Sequence, residues 1–164
     1  MIMPEPVLES ENLRLIVSEP AEVLAWVEAM SPDDRAEVSS EWLERVRNTT
    51  APDPWTCGFN MVHRETGFAV GSCAFKGPPD SDGVVEIAYG VKPEHQGNGY
   101  ATEAAAELAK YAFASGAVQT VRAHTLREHN ASTRVLTKCG FQNVGEVDEP
   151  DDGLVWRWEL RNRP

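Results

Sequence analysis

One segment of the chain constrains the fold more than any other, because it predicts a strand, a glycine turn and a helix in direct succession. Residues 84–91 are rich in the β-branched and aromatic types that favour a pleated strand, and Pro93 makes further strand unlikely. Gly97 and Gly99 precede residues 100–114, the most helix-prone segment of the protein. Glycines before a helix N-terminus leave backbone N–H groups free and easy to approach, so the pattern predicts an anion site, most often for phosphate.

The spacing of these glycines narrows the kind of phosphate ligand. A dinucleotide-binding loop has the pattern G-x-G-x-x-G, but Thr102 stands three residues after Gly99. A Walker loop needs a lysine directly after its last glycine, and here Tyr100 follows Gly99. A nucleotide-binding α/β protein is therefore disfavoured.

The turn Gln96-x-x-Gly99-x-Ala101 resembles the [Q/R]-x-x-G-x-[G/A] turn of the GNAT superfamily of N-acetyltransferases. In that family, successive backbone amides of the turn hold the pyrophosphate of acetyl-coenzyme A. The resemblance implies the same coenzyme contact for Gln96, Gly97, Asn98, Gly99, Tyr100 and Ala101.

A second motif lies downstream. Residues 129–141, HNASTRVLTKCGF, resemble the N-x-x-S…K-x-G-F helix of the RimJ/RimL-like branch of that superfamily. The resemblance implies that Asn130 and Arg134 contact the coenzyme and that Ser132 donates a proton to the departing thiolate. Many members of the branch have the asparagine three residues before the serine, where this chain has His129, so whether His129 or Asn130 meets the coenzyme stays open. The alternative interpretation makes Asn130 and Ser132 ordinary helix-capping residues.

Glu86 is a candidate general base. A carboxylate in an otherwise apolar strand is costly to bury unless it has a partner or faces a cleft. Strand alternation places Glu86, Ala88 and Gly90 on one face, where the small neighbours indicate open space. In the resembled family a glutamate on this strand often accepts the amine proton; the alternatives are an ion pair with a cation of a neighbouring strand, or exposure to solvent. Many relatives outside this branch use a tyrosine of the downstream helix as the acid, but no tyrosine follows Tyr111 in this chain. The resemblance therefore implies that either Ser132 or solvent supplies the proton for the thiolate.

The resemblance also assigns a role to the backbone of the strand over residues 84–91. It implies that this strand splays from the strand over residues 119–125. The pantetheine arm of the coenzyme then bonds to the backbone near Tyr89 and Val91, and a backbone N–H near Val91 stabilises the oxyanion of acetyl transfer.

The predicted elements follow the order βααβββαβαββ. This order gives an α+β fold with a mixed, mostly antiparallel sheet, and the resemblance implies the GNAT-type three-layer form with splayed strands around the acetyl-CoA cleft. The length fits one N-acetyltransferase domain over residues 1–164. Strands are predicted over residues 13–17, 57–62, 69–75, 84–91, 119–125, 142–147 and 154–160, and helices over residues 21–30, 31–47, 100–114 and 131–139.

Composition and charge limit the kinds of partner and the cellular location that are expected for this protein. A net charge of −11 argues against nucleic-acid binding and suits a cationic acceptor. No run approaches the ~20 apolar residues of a membrane span, and residues 1–12 lack the basic and apolar regions of a secretory signal. Cys57, Cys73 and Cys139 form no C-x-x-C pair, so reduced thiols, a cytoplasmic location and no metal site are expected.

Together these patterns predict an acetyl-CoA-dependent N-acetyltransferase that moves the acetyl group directly to a primary amine in a ternary complex. The acceptor is either a protein N-terminus or a small-molecule amine, and residues 21–53 and 149–153 are expected to select it. The alternative is a non-catalytic acyl-CoA-binding or regulatory module that kept the cleft. Monomer and homodimer both stay open.

Overall fold

A mixed sheet of eight strands is the framework of the protein in the computed structural model, which describes residues 7–150 and 152–162. The first half of the N-terminal stretch considered above for a secretory signal, and one residue of the segment 149–153, lie outside the described residues. The strands are β1 (Val7–Glu9), β2 (Leu13–Val17), β3 (Phe59–His63), β4 (Ala69–Phe75), β5 (Val84–Val91), β6 (Thr120–Thr125), β7 (Gln142–Glu149) and β8 (Gly153–Arg161), in the spatial order β1-β2-β3-β4-β5-β6-β8-β7.

The helices lie between these strands along the chain. Three of them, α1 (Pro20–Glu28), α2 (Pro32–Ala36) and α3 (Ser40–Arg47), separate β2 from β3. The long helix α4 (Tyr100–Ala114) follows β5 after a short 3-10 turn at Pro93–His95, and α5 (Ala131–Lys138) follows β6. Within the described ranges, no helix combines the length and the hydropathy needed to cross a bilayer.

The predicted α+β fold with a mostly antiparallel sheet is confirmed. All neighbouring strands pair antiparallel except β5 and β6, which run parallel and pair only at Val84↔Thr120, Val85↔Val121 and Glu86↔Arg122. Beyond Glu86 the two strands share no further pairs, although both continue. The sheet therefore opens into a gap at the centre of the molecule.

The predicted element order needs two corrections. One helix is expected over residues 31–47, but two form, because Ser39 caps a new N-terminus by accepting a hydrogen bond from the Trp42 N–H, while Ser31 caps the first helix through the Asp34 N–H. The strand β1 was not predicted from the sequence. It is three residues long and exists through its antiparallel pairing with β2, for which a single sequence carries little signal.

The helices cover both faces of the sheet. The apolar stripe of α4, Ala104, Ala105, Leu108, Ala109 and Ala112, is buried, and the helix packs against β5 and α5. Val85 and Ile87 are the buried side chains of β5, whereas the alternating Glu86, Ala88 and Gly90 point to the other face. There a cavity separates the sheet from α1 and α3, which completes a three-layer arrangement.

Candidate active site

The turn before α4 has the backbone shape that only glycine adopts easily. Gly97 has φ +83° and Gly99 has φ +81°, in the left-handed region that side-chain-bearing residues avoid. A Cβ atom built on either residue meets no atom within 4 Å, so the space in front of the turn is open. A ligand can therefore approach this backbone closely.

The backbone N–H groups of this turn are available to such a ligand. Gly99 caps α4 without a side-chain hydrogen bond, and the first intrahelical bond runs from the Glu103 N–H to the Gly99 carbonyl. Among the described residues, the backbone N–H groups from Gly97 to Thr102 donate no hydrogen bond. These donors and the positive end of the α4 dipole form an anion site.

Two side chains of the turn serve to hold its shape. The amide of Gln96 donates to the Val91 carbonyl at 3.1 Å, which ties the turn to the end of β5. The amide of Asn98 donates to the His95 carbonyl at 3.0 Å. Both residues were predicted to bind the coenzyme. The Gln96 backbone N–H donates to the Pro93 carbonyl at 3.4 Å, whereas the Asn98 backbone N–H makes no hydrogen bond to another described residue.

The edge of β5 beside the gap is also unpaired. The Lys76 N–H donates to the Glu86 carbonyl and the Lys92 N–H donates to the Val70 carbonyl, so the even-numbered residues of β5 bond to β4. Tyr89 therefore turns its backbone N–H and carbonyl toward the gap, as does the Val91 N–H. This is the free edge that the family resemblance implies near these two residues.

Helix α5 runs along the same gap. At its N-terminal end the Ser132 hydroxyl lies 3.0 Å from the Tyr89 hydroxyl, and at its C-terminal end Cys139 Sγ lies 3.5 Å from the Thr102 carbonyl in the first turn of α4. The helix thus spans the distance from the middle of β5 to the anion site. Arg134, midway along α5, is exposed.

The residues just before α5 have structural partners. The Asn130 side chain accepts from the Thr133 N–H at 3.0 Å, and the Thr133 hydroxyl accepts from the Asn130 N–H at 2.9 Å, which is a complete capping box. The capping interpretation of Asn130 is therefore correct, while the Asn130 amide nitrogen and Arg134 stay candidates for the coenzyme. His129 stacks edge-on against Trp156 at 5.3 Å.

The Tyr89 phenol was not foreseen as a site group. Burial raises the pKa of the Tyr89 hydroxyl, and its hydrogen bond with Ser132 offsets this only in part. The hydroxyl therefore stays protonated near neutral pH. Strand alternation placed this side chain with Ile87 on the α4 face, but the sequence does not show that α5 brings Ser132 to the same place.

Glu86 lies where β5 and β6 separate, and two neighbours approach one of its oxygens. Lys76 Nζ lies 3.0 Å from Glu86 Oε2, so the ion pair considered as an alternative from the sequence is present. His124 Nδ1 lies 3.0 Å from the same oxygen, in an approach that is not aligned as a hydrogen bond. Both of these neighbours approach Oε2 rather than Oε1 most closely. The open space predicted beside Ala88 and Gly90 is present as a cavity of about 710 Å³.

His124 is a buried member of the site that the sequence did not single out. Its side chain is 5% exposed, and its Nε2 accepts from Arg157 Nε at 3.1 Å, so a neutral ring carries its proton on Nδ1, facing Glu86. Arg157 in turn donates to the Glu149 carboxylate. Strand alternation alone could have placed His124 on the Glu86 face of β6, but not next to Glu86.

The cysteines are not activated as nucleophiles. Burial raises the pKa of the Cys73 thiol to about 12 and also raises the pKa values of Cys57 and Cys139. Cys139, the thiol nearest the gap, is thus held in its protonated form near neutral pH. Within residues 7–150 and 152–162, no cluster of His, Cys, Asp or Glu side chains could hold a metal ion.

An unpaired glycine turn at a helix N-terminus, next to a gap between two parallel strands, has the donors and the space that suit a long anionic ligand. The chain belongs to the GNAT acetyltransferase family, because the family model described as "Acetyltransferase (GNAT) domain" matches residues 6–142. The chain is similar to the N-acetyltransferase YjdG of Bacillus subtilis, with 30% identity over 101 residues that cover 62% of this chain and 58% of that protein. It is also similar to the N-acetyltransferase p20 of Bacillus licheniformis, with 31% identity over 87 residues that cover 53% of this chain and 49% of that protein. Both relatives are described as uncharacterized, and the chain matches about half the length of each.

Solved structures show the same fold. The chain resembles a GNAT-family acetyltransferase from Bacillus anthracis with a TM-score of 0.67 and 20% identity, over 95% of this chain and 98% of that chain. It resembles RimL, a ribosomal L7/L12 alpha-N-protein acetyltransferase in complex with coenzyme A, with a TM-score of 0.67 and 14% identity over the same shares of the two chains. These likenesses establish the fold.

Proposed function

We propose that residues 1–164 form a single acetyl-CoA-dependent N-acetyltransferase domain that acts on a primary amine by direct transfer in a ternary complex. The observation that carries this proposal is the row of unpaired N–H groups from Gly97 to Thr102, which opens onto the gap between β5 and β6. An anion site continuous with an unpaired strand edge suits a ligand that has a pyrophosphate at one end and amide groups along an extended arm.

The described residues fit such a coenzyme despite the net charge of −11. The N–H groups of the turn and the dipole of α4 supply positive potential at the pyrophosphate position. The Tyr89 backbone and the Val91 N–H meet the amide groups of the pantetheine arm, and Arg134 adds a positive charge on the α5 side. Asn130 contributes through its amide nitrogen, since its oxygen caps the helix.

When bound, acetyl-coenzyme A supplies an activated acetyl group, and the acceptor amine displaces the thiol from it. The Val91 N–H donates to the acetyl oxygen as negative charge develops there. Glu86 accepts the amine proton at Oε1, directly or through a water, while Lys76 and His124 hold Oε2. Because His124 is fixed through Arg157, the carboxylate keeps one orientation.

The proton for the departing thiolate comes from the Ser132 hydroxyl. The Tyr89 hydroxyl lies 3.0 Å from Ser132 Oγ, and its raised pKa keeps it protonated, so it can hold Ser132 in place and donate to its oxygen. Direct transfer is favoured over an acyl-cysteine route because the pKa of the Cys139 thiol is raised.

Within the family, we place the chain in the RimJ/RimL-like branch. The motif over residues 129–141 and the likeness of fold to RimL support this placement. A cytoplasmic location accords with three free cysteines.

The proposal is tested by measuring thiol release from acetyl-CoA with a panel of primary amines. Glu86→Gln keeps the shape of the side chain and removes its basicity, and Glu65→Gln, at an exposed turn position, is the matched control. We expect turnover with one class of amine, reduced by Glu86→Gln and partly restored at higher pH as more of the amine is neutral. Coenzyme binding without thiol release for any amine would favour the non-catalytic acyl-CoA-binding module instead.

A further inference from the structure

The cavity of about 710 Å³ on the Glu86 face adjoins the free edge of β5. Its lining includes Tyr89, Gly90 and Val91, the residues of β5 that border the gap between β5 and β6. An acceptor amine that reaches an acetyl group in that gap from the α1 and α3 side must pass through this cavity. Volumes of this size hold small organic molecules.

The floor of the cavity consists of small side chains from neighbouring strands. Ala74 pairs with Ala88 and Ser72 pairs with Gly90 across β4 and β5. None of these side chains reaches far above the sheet. The depth of the cavity is therefore set by the sheet backbone, and a bulky group can lie flat on it.

Two tryptophans form the opposite wall. Trp26 on α1 is 61% exposed, although a large apolar side chain gains by burial. Trp42 on α3 is half-buried and held in place by the hydrogen bond from its ring nitrogen to the Thr56 carbonyl at 2.8 Å. An apolar ligand against these rings would cover the exposed face of Trp26.

The cavity carries little charge. Among the side chains that line it, Glu22 is the one acid and Lys92 the one base, and the rest are uncharged. A ligand with several positive charges would lose hydration there and find Glu22 as the one carboxylate of the lining, with Glu86 outside it to accept a single proton, which is unfavourable. A ligand with a single amine does not meet this difficulty.

We propose that this cavity binds the acceptor, and that the acceptor is a small primary amine with an aromatic or branched aliphatic body. This inference rests on the proposed N-acetyltransferase function and narrows its substrate class. The amine end lies toward Tyr89 and Val91, and the apolar body lies between Trp26 and the floor of small side chains. Polyamines, aminoglycosides and polar peptide N-termini fit the cavity poorly because of their additional polar and charged groups.

The first test compares kcat/KM for thiol release with phenethylamine and isoamylamine against spermidine, kanamycin and a Ser-Gly-Gly peptide. We expect the two apolar amines to have the highest values. Turnover that is faster with spermidine, kanamycin or the peptide would overturn the inference while leaving the proposed function in place.

The second test removes the Trp26 side chain, the exposed part of the cavity wall. Trp26→Ala should lower kcat/KM for phenethylamine by about tenfold through a higher KM for the amine, because the aromatic contact is lost. The KM for acetyl-CoA should not change. Phe68→Ala is the matched control, since Phe68 is 63% exposed but lies outside the cavity lining. An equal effect of the two variants on phenethylamine would contradict the assignment.

Measurements of amine binding distinguish a failure of this inference from a failure of the proposed function. If no amine releases thiol, calorimetric titration of phenethylamine and spermidine into the protein saturated with coenzyme A decides the matter. Binding of phenethylamine that Trp26→Ala weakens upholds the cavity assignment and refutes catalysis. Absence of phenethylamine binding, or stronger binding of spermidine, refutes the cavity assignment.

Discussion

Glu103 connects the first turn of α4 to the turn between β1 and β2. Its carboxylate accepts hydrogen bonds from the Asn12 backbone N–H at 2.9 Å, from the Asn12 side-chain amide at 2.8 Å and from the Ser10 hydroxyl. The contacts are partly buried and fix the end of the helix that carries the anion site. Glu103→Ala should therefore destabilise the protein without removing any group of the proposed coenzyme site.

The expected loss follows from these three hydrogen bonds. A hydrogen bond to a charged group contributes about 1.5–3 kcal/mol, but bonds that share one carboxylate are not additive. Water can also reach the partly exposed donors once the carboxylate is removed. We therefore expect Glu103→Ala to lower the free energy of unfolding by about 2–3 kcal/mol.

Urea unfolding at pH 7 measures this loss, with Glu107→Ala as the matched control. Glu107 lies one turn further along α4, and no hydrogen bond or ion pair joins its side chain to another described residue. The change in helix propensity is the same for both variants, so their difference reports the three hydrogen bonds together with the smaller interaction of Glu103 with the positive end of the α4 dipole. The reasoning is refuted if the two variants unfold within about 0.5 kcal/mol of each other.

The pH dependence gives a second check on Glu103. Burial tends to raise the pKa of the carboxyl group, but the hydrogen bonds from Asn12 and Ser10 outweigh it and hold the pKa below its ordinary value of 4.5. A lowered pKa in the folded state contributes stability that is present above the ordinary value and lost as the pH falls through the lowered one. The difference between wild type and Glu103→Ala should hold at pH 5 and shrink below pH 4; a difference that grows on acidification would contradict the assignment.

Three further outcomes are expected. Gly99→Ala and Gly116→Ala should each lower the free energy of unfolding by about 1 kcal/mol, since both glycines have φ near +80° and open surroundings. Only Gly99→Ala should also weaken coenzyme binding, as measured by calorimetry. His124→Leu should lower kcat about tenfold with an unchanged KM for acetyl-CoA. His124→Asn should retain most of the activity, because its amide can take the place of Nδ1 beside Glu86. A loss of coenzyme affinity in His124→Leu would contradict a positioning role. Tyr89→Phe should lower the free energy of unfolding by about 1 kcal/mol at neutral pH. Burial raises the pKa of this phenol, so its contribution is present below the unfolded pKa and is lost as the pH rises through the raised one; the deficit should therefore shrink as the pH rises beyond 10.

Local sequence patterns predicted most of the strands and helices of the fold. Alternation and β-branched residues predicted seven of the strands, and the run of good helix formers predicted α4 with the bounds that the structure has. The same approach missed the second cap at Ser39, because a serine pair within a polar helix is a weak signal. It missed β1, whose three residues form a strand only through pairing with β2.

The sequence by itself determined the glycine turn Gln96–Ala101, since this turn needs only its own glycines and the N-terminus of the following helix. It also determined which residues of β5 share a face with Glu86, because alternation is a property of the strand. The tertiary structure alone decided which groups meet across the gap. His124 approaches Glu86 because β5 and β6 pair in parallel at Glu86↔Arg122, and Ser132 meets Tyr89 because α5 packs along the opening. Strand register and helix packing follow from burial of the whole core, so no local pattern can specify these contacts.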